Sequence, residues 1–288
     1  MKEINPEEYG TQQLFKFMIG GIAPRPIAFA STVDSKGNPN LSPFSFYNAF
    51  GINPTTLIFS PSRRGRDNSI KHTLENIQEV PEVVLNAVTY SMVQQMSLSS
   101  TEYPKGVNEF EKSGFTPVDA VKVRPFRVKE SPLQFECRVR DIIEISGKPG
   151  SANLVICEIM YVHVDEGILD PGGNILPDKI DLVGRMGDNY YVHASGEALF
   201  EVPKPLTTMG IGVDSLPASV RKSHVLSGND LGLLGNQESL PDEQSLRKIS
   251  LPASLQAAPD KETIHAYAKN LIAGNKVEEA LKVLLSFG

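Results

Sequence analysis

Cysteine, long apolar runs and excess basic charge are all scarce in this chain, and each shortage removes a class of function. Two cysteines in 288 residues are too few for a disulfide framework or a cysteine-rich zinc site. Both, Cys137 and Cys157, sit in apolar, strand-like runs and read as buried thiols rather than a redox pair. No uninterrupted apolar run approaches the roughly 20 residues that a membrane helix needs. The opening MKEINPEEYG is charged and has no apolar core, so it is not read as a secretory leader. A net charge of −6 argues against nucleic acid or an anionic membrane as partner, since both favour basic surfaces. There is no His-Glu-x-x-His pattern or other metal-ligand cluster, and no glycine fingerprint for a dinucleotide-binding strand-helix unit. The class these exclusions leave is a cytoplasmic globular protein, and 40% hydrophobic with 22% charged residues suit it.

What is there begins with strands. Residues 14–21 alternate weakly and end in the turn pair Gly20-Gly21. Pro24-Arg25-Pro26 forces extended backbone, because proline fixes its own φ and pushes the preceding residue away from helix. Residues 27–33 then read as a strand, 34–39 as a turn around Gly37, 41–50 as a second extended segment broken at Asn53-Pro54, and 56–60 as a third strand. This is the pattern of an antiparallel meander. A short helix is expected over 69–79 from Ile70, Leu74 and Ile77. A buried strand follows at 83–88, then a helix over 91–98 that Ser91 can cap. Leu133, Phe135, Cys137 and Val139 alternate with Gln134, Glu136, Arg138 and Arg140, which predicts a half-buried strand; 154–164 is a more continuously apolar one. Many strands with few helices between them favour a barrel with peripheral helices, a mainly β fold.

The character changes after Pro203-Lys204-Pro205. Residues 206–259 have no sustained period. Asp260 can then cap a helix, Gly274-Asn275 breaks it, and a second helix carries Val277, Ala280, Leu281 and Leu284. A solenoid needs about three stacked units, so one hairpin reads as a docking element. The expected organisation is a domain over 1–205 and an extension over 206–288.

Two stretches carry chemistry. The extended segment 41–49 interleaves Ser42, Ser45 and Asn48 with Phe44, Phe46 and Tyr47. That mixture suits a flat heteroaromatic ligand, with polar groups for its edge and apolar ones for its face; an ordinary strand with a polar outer face is the competing reading. Residues 60–73 bring Arg63, Arg64, Arg66 and Lys71 together with several hydroxyls at a helix start. Forked guanidinium donors, an ammonium and free helix N–H groups suit a phosphate, where the alternative is a solvated basic loop. One short strand joins the two stretches, so a ligand with a ring and a phosphate can span both. His163 reads as a structural residue on its strand, and His193 lies near the edge of the same region.

In sequence order, PRPIAFASTVD, NLSPFSFYNA, SPSRRGRDNS and KHTLENI, then EYPKGVNEFEKSGFTP, LQFEC, ICEIMYVHVDEGIL and LVGRMGDNYY, resemble the flavin reductase-like family with the FMN-binding split-barrel fold, which includes flavoredoxin-type proteins. The resemblance covers about residues 10 to 205; GIGVDSLP and SGNDLGLLGN are similar to longer members. It implies an FMN-binding homodimer, with FMN favoured over FAD. By position, Ser45, Phe46 and Asn48 would line the flavin ring with Thr32 close by; Ser60, Arg64, Lys71 and Thr73 would hold the phosphate; Arg185 and Tyr190 would form a wall or an intersubunit contact. The family often has Asp where this chain has His72, a change that a site using only the backbone N–H there accommodates. The implied activity is hydride transfer from NADH or NADPH to flavin, followed by flavin release or electron transfer to an acceptor redox protein. Flavoredoxin-type electron transfer, or flavin binding without turnover, are the alternatives.

Overall fold

A computed structural model describes residues 1–252, 255 and 260–287. Parts of the expected irregular stretch (253–254 and 256–259), and Gly288 at the end of the extension, lie outside the described residues. The chain divides into two compact units, Met1–Phe200 and Glu201–Gly288.

The first unit is built on a seven-stranded antiparallel sheet. Its strands are β1 (Ala28–Val33), β2 (Pro39–Phe44), β3 (Tyr47–Ile52), β4 (Thr55–Phe59) and β5 (Glu82–Asn86), then, after a two-residue pair β6 (Pro117–Val118) and β7 (Arg127–Val128), β8 (Leu133–Glu144) and β9 (Asn153–Val164). The strand order is β2-β1-β5-β8-β9-β4-β3. The meander is therefore split: β1 pairs with β2 and β3 with β4, while β2 and β3 are the two outer strands of the sheet. Only Ser45 and Phe46 separate them in sequence, so the sheet must curl until its outer strands meet at that corner, which closes the barrel.

β1 is buried along its whole length. Ala28 and Ala30 face a core shared with Phe59, Leu85, Cys137 and Cys157, whereas Ile27 and Phe29 face a second one with Met92, Met96 and Phe110. Period-two alternation sends successive side chains to opposite faces, and here both faces are covered. Both cysteines are free and buried, and burial pushes the Cys157 thiol up to about 12.

Several sequence expectations change. Residues 14–21 belong to a helix, α1 (Thr11–Gly21), none of whose residues is buried. Its C-terminal turn is held from outside: Arg25 Nη1 donates to the carbonyls of Ile19 and Ile22, each at 2.7 Å. The second helix, α2, spans His72–Glu79 and so starts three residues later than expected. Ser69 is claimed by a local turn, its N–H and hydroxyl both reaching Asp67 Oδ1 at 2.9 and 2.6 Å, which leaves Lys71 extended at the cap position. The polar face of β8 is not solvated at its start. Glu136 is fully buried and accepts from the N–H groups of Val121 and Lys122 at 2.8 and 2.6 Å and pairs with His163 Nε2 at 2.6 Å.

Two further helices, α3 (Val93–Leu98) and α4 (Glu109–Ser113), add Met96 and Phe110 to the second core. The expected Ser91 cap is instead a 3₁₀ turn over Tyr90–Met92 running into α3. The unit ends with the short helix α5 (Pro177–Ile180) and the hairpin β10 (Val183–Arg185) and β11 (Tyr191–His193).

The second unit holds α6 (Ala218–Arg221), α7 (Gly228–Gly235), α8 (Glu243–Arg247), α9 (Lys261–Ala273) and α10 (Val277–Phe287). Asp260 caps α9 by accepting from the Thr263 N–H at 2.8 Å, and Asn275, at φ +59°, turns the chain into α10. The hairpin does not stand alone within its unit. Ala268, Ala280, Leu281 and Leu284 pack with Leu216, Val220 and Leu234. The intervening stretch supplies four of the nine buried residues of this cluster without a sustained helical period, since its helices are only four to eight residues long.

Candidate functional site

The corner where the barrel closes opens into a cleft of about 480 Å³. Ser42, Ser45 and Phe46 from the corner line it together with Ser60, Arg64, Arg66 and Lys71. The strand β4 explains the juxtaposition. It pairs with β3, and the Ser60 N–H at its end donates to the Phe46 carbonyl at 2.9 Å. The loop leaving β4 thus begins against the corner.

Internal bonds shape that loop. Arg64 Nη1 donates to Ser69 Oγ at 2.9 Å and to the Ile70 carbonyl at 2.6 Å, and its Nε reaches Glu102 at 3.2 Å. Arg66 also pairs with Glu102. Arg63 also reaches across to the hairpin behind the loop. It donates to the Asn68 carbonyl at 3.0 Å and pairs with Glu144 at 3.3 Å, while the Asn68 amide donates to the Gly147 carbonyl at 2.8 Å. Arg63 thus staples the loop to the β8–β9 hairpin and still lines the cleft with Arg64, Arg66 and Lys71.

Two features of the cleft suit an anion. Burial first, then the positive charge of Arg64, holds the Lys71 ammonium below its ordinary value; Glu102 opposes this shift and Arg66 adds to it. The Ser60 hydroxyl is buried with no hydrogen-bond partner. An unpartnered buried hydroxyl costs about 1–3 kcal/mol, and a crowded ammonium is relieved by a counter-charge. A phosphate group would satisfy both. The first N–H groups of α2, which have no partner inside a helix, stand next to Lys71.

Five of the expected site residues, Ser45, Phe46, Ser60, Arg64 and Lys71, meet in this cleft. Arg185 lines an adjoining pocket of about 180 Å³ that shares Ser45 with it. The other four are placed differently. Thr73 is buried and donates to Asn40 Oδ1 at 2.8 Å, so its hydroxyl is committed to the protein. Thr32 is likewise buried and accepts from Asn76 Nδ2 at 3.1 Å. Asn48 is exposed on β3, its Oδ1 bonded to the Ala49 N–H at 2.8 Å. Tyr190 is 74% exposed, in the turn between β10 and β11.

Two residues of the site were not among the expected site residues. Glu102, 38 positions beyond Arg64, reaches the cation cluster only through the fold. Arg25 contacts Ser45 Oγ at 3.4 Å and sets its guanidinium 6.0 Å from the Phe46 ring; its one sequence cue is the pair of prolines around it. His193 pairs with Asp181 outside the cleft. Among the described residues no group of three or more His, Cys, Asp or Glu side chains could hold a metal, and no helix is long and apolar enough to cross a membrane.

Comparison with known proteins gives the family and the fold. The flavin reductase like domain matches residues 20–177. An uncharacterized protein of Aquifex aeolicus is 35% identical over 189 residues, 66% of this chain and 94% of the relative. Among solved structures, nitrilotriacetate monooxygenase component B from Bacillus cereus superposes with a TM-score of 0.65 at 27% identity, covering 70% of this chain and 98% of that one. The 2-nitrobenzoate 2-nitroreductase NbaA of Pseudomonas fluorescens does so with a TM-score of 0.62 at 25% identity, covering 73% and 100%.

Proposed function

The chain belongs to the flavin reductase like domain family, and from that membership we propose that it is an FMN-dependent oxidoreductase that takes electrons from NADH or NADPH. The observation that carries this reading is the meeting of an unpartnered buried Ser60 hydroxyl with Arg64 and a charge-crowded Lys71 at the barrel corner, beside Ser45 and Phe46. The cluster would hold the phosphate end, and the serine-aromatic corner would take the ring. Similarity to a monooxygenase component and to a nitroreductase supports a redox role over mere storage of a ligand.

When bound, FMN supplies the two-electron chemistry, accepting hydride from the nicotinamide donor and passing electrons on. The protein's part is placement. Lys71 and Arg64 neutralise the phosphate, Ser60 donates to it, and Phe46 covers ring surface. Ser45, oriented by Arg25, offers a hydroxyl to the ring edge. In this reading the second protomer of a homodimer completes the wall near Arg185 and Tyr190, and an acceptor redox protein or free flavin carries the electrons away. The test is the absorbance of the purified protein in the flavin bands, followed by NADH and NADPH oxidation with added FMN. Flavin bands with FMN-dependent oxidation of either donor are expected. Bound FMN that only a protein donor reduces would make it an electron carrier instead.

A further inference from the structure

We propose that Glu102 is a built-in placeholder for the flavin phosphate: its carboxylate, which pairs with Arg64 and Arg66, yields these arginines when a phosphate arrives and retakes them when it leaves. The inference rests on the flavin reading above and adds a means of exchange to it. Among the described residues that line the cleft, Glu102 is the one carboxylate. One oxygen accepts from Arg64 Nε at 3.2 Å, and the other pairs with Arg66 Nη2. Two guanidinium groups converging on one set of oxygens is how arginines hold a phosphate. The N–H groups taken are also scarce. Arg64 Nη1 is committed to Ser69 and Ile70, and Arg66 Nε reaches Asp67 at 3.2 Å.

The segment that carries Glu102 lets it move. It lies in the connection between α3 and α4, outside any helix or strand, and its side chain is 38% exposed. Exposed ion pairs are worth little and are weakened by salt, so a stronger anion exchanges with this one cheaply. Rotation about the side chain's own bonds carries the carboxylate to solvent. Glu102 nevertheless competes as an anion. Desolvation opposes its charge, yet Arg66 and the bond from Arg64 hold its carboxyl below the ordinary value, so it is ionised at neutral pH. Lys71 senses it too, since Glu102 favours the charged ammonium there.

Charge and tethering decide which anions gain entry. A phosphomonoester carries about 1.5–2 negative charges near pH 7, against one on the carboxylate, and in FMN the ring adds its own contacts at the corner. Chloride or free phosphate has no ring to add. It must displace a carboxylate tethered to the chain, whose effective concentration is on the order of millimolar. Glu102 therefore keeps stray anions off the cations and lets FMN both enter and leave. Riboflavin has no phosphate and leaves Glu102 where it is. In the wild type the anion that FMN displaces belongs to the chain; without Glu102 it comes from the solution.

The test is calorimetric titration of the full chain with FMN, riboflavin and inorganic phosphate at low and high chloride. It compares the wild type with Glu102→Gln, which keeps the shape and removes the charge. At low chloride Glu102→Gln should bind FMN about three- to tenfold tighter, the scale of ion pairs lost as competitors, and should hold riboflavin at wild-type affinity. Raising chloride should weaken FMN binding more steeply in Glu102→Gln, because chloride then takes the carboxylate's place. Glu102→Ala should behave likewise, which separates the charge from any bond the new amide makes. FMN binding that is weaker or unchanged in both variants, or chloride slopes equal to that of the wild type, would overturn the placeholder. Inorganic phosphate that binds both variants more tightly while no flavin binds would contradict the functional reading and leave the placeholder standing. No binding of flavin or phosphate by any of the three proteins would contradict both.

Discussion

Arg25 Nη2 donates to the carbonyl of Met186 at 2.9 Å, across 161 residues of sequence. The same guanidinium holds the end of α1 and touches Ser45, and the backbones of Arg25 and Arg185 exchange two hydrogen bonds at 2.9 and 2.8 Å. One buried side chain thus ties the N-terminal helix, the β10–β11 turn and the barrel corner together. Arg25→Met leaves three carbonyls without their donor and should lower stability by roughly 2–4 kcal/mol in urea unfolding. Arg25→Lys should recover only part, because an ammonium cannot reproduce the fork. An unchanged midpoint would remove Arg25 from its role as tie.

Lys71 should show a trade between stability and binding. Burial and Arg64 lower its value in the folded chain, so the unfolded chain holds that proton more firmly. Charged Lys71 therefore costs stability near neutrality, a cost that falls away as pH rises through the lowered value toward the ordinary one. Lys71→Met should leave flavin-free protein no less stable, while FMN binding weakens tenfold or more, roughly the 1.5 kcal/mol or more of a charge-assisted bond. Thermal unfolding of flavin-free protein, beside FMN titration, checks both halves.

Ser60→Ala removes a buried hydroxyl that lacks a partner. Flavin-free protein should gain stability or stay level, whereas FMN affinity should fall by about 1 kcal/mol. A loss of stability in the flavin-free variant would mean that the hydroxyl has a structural role.

Glu109 is 4% exposed and accepts from the Leu41 N–H at 3.1 Å. Burial raises its carboxyl above the usual carboxylate range, with that hydrogen bond among the opposing effects. The folded chain then holds the proton more firmly than the unfolded one, so stability falls as pH rises from the ordinary carboxylate value through the raised one. Glu109→Gln should match or exceed the wild type at neutral pH, with the advantage shrinking as pH drops toward the ordinary range. Urea midpoints taken between about pH 4 and 8 check this, and parallel profiles would contradict it.

Much of the barrel is legible in the sequence because β1, β5, β8 and β9 carry strong apolar runs or alternation. The meeting of Ser60, Arg64 and Lys71 with Ser45 and Phe46 is legible too, since one strand separates the two stretches. What escapes is whatever depends on distant residues. α1 buries nothing along its own length and relies on Arg25 to hold its end, so no amphipathic period announces it. Glu136 reads as solvent-facing because the segment that covers it lies 14–15 residues earlier. The hydroxyls of Thr32 and Thr73 look as available as that of Ser60 until Asn76 and Asn40 are seen to hold them.

The central claim is that the Ser60–Lys71 cluster grips a phosphate attached to a flavin ring, and comparing FMN with riboflavin isolates that grip. Fluorescence titration of the wild type should show FMN binding at least tenfold tighter than riboflavin, as one charge-assisted phosphate bond of about 1.5–3 kcal/mol requires. In Lys71→Met that gap should shrink while riboflavin affinity holds. Equal affinity for the two flavins in the wild type would contradict the account.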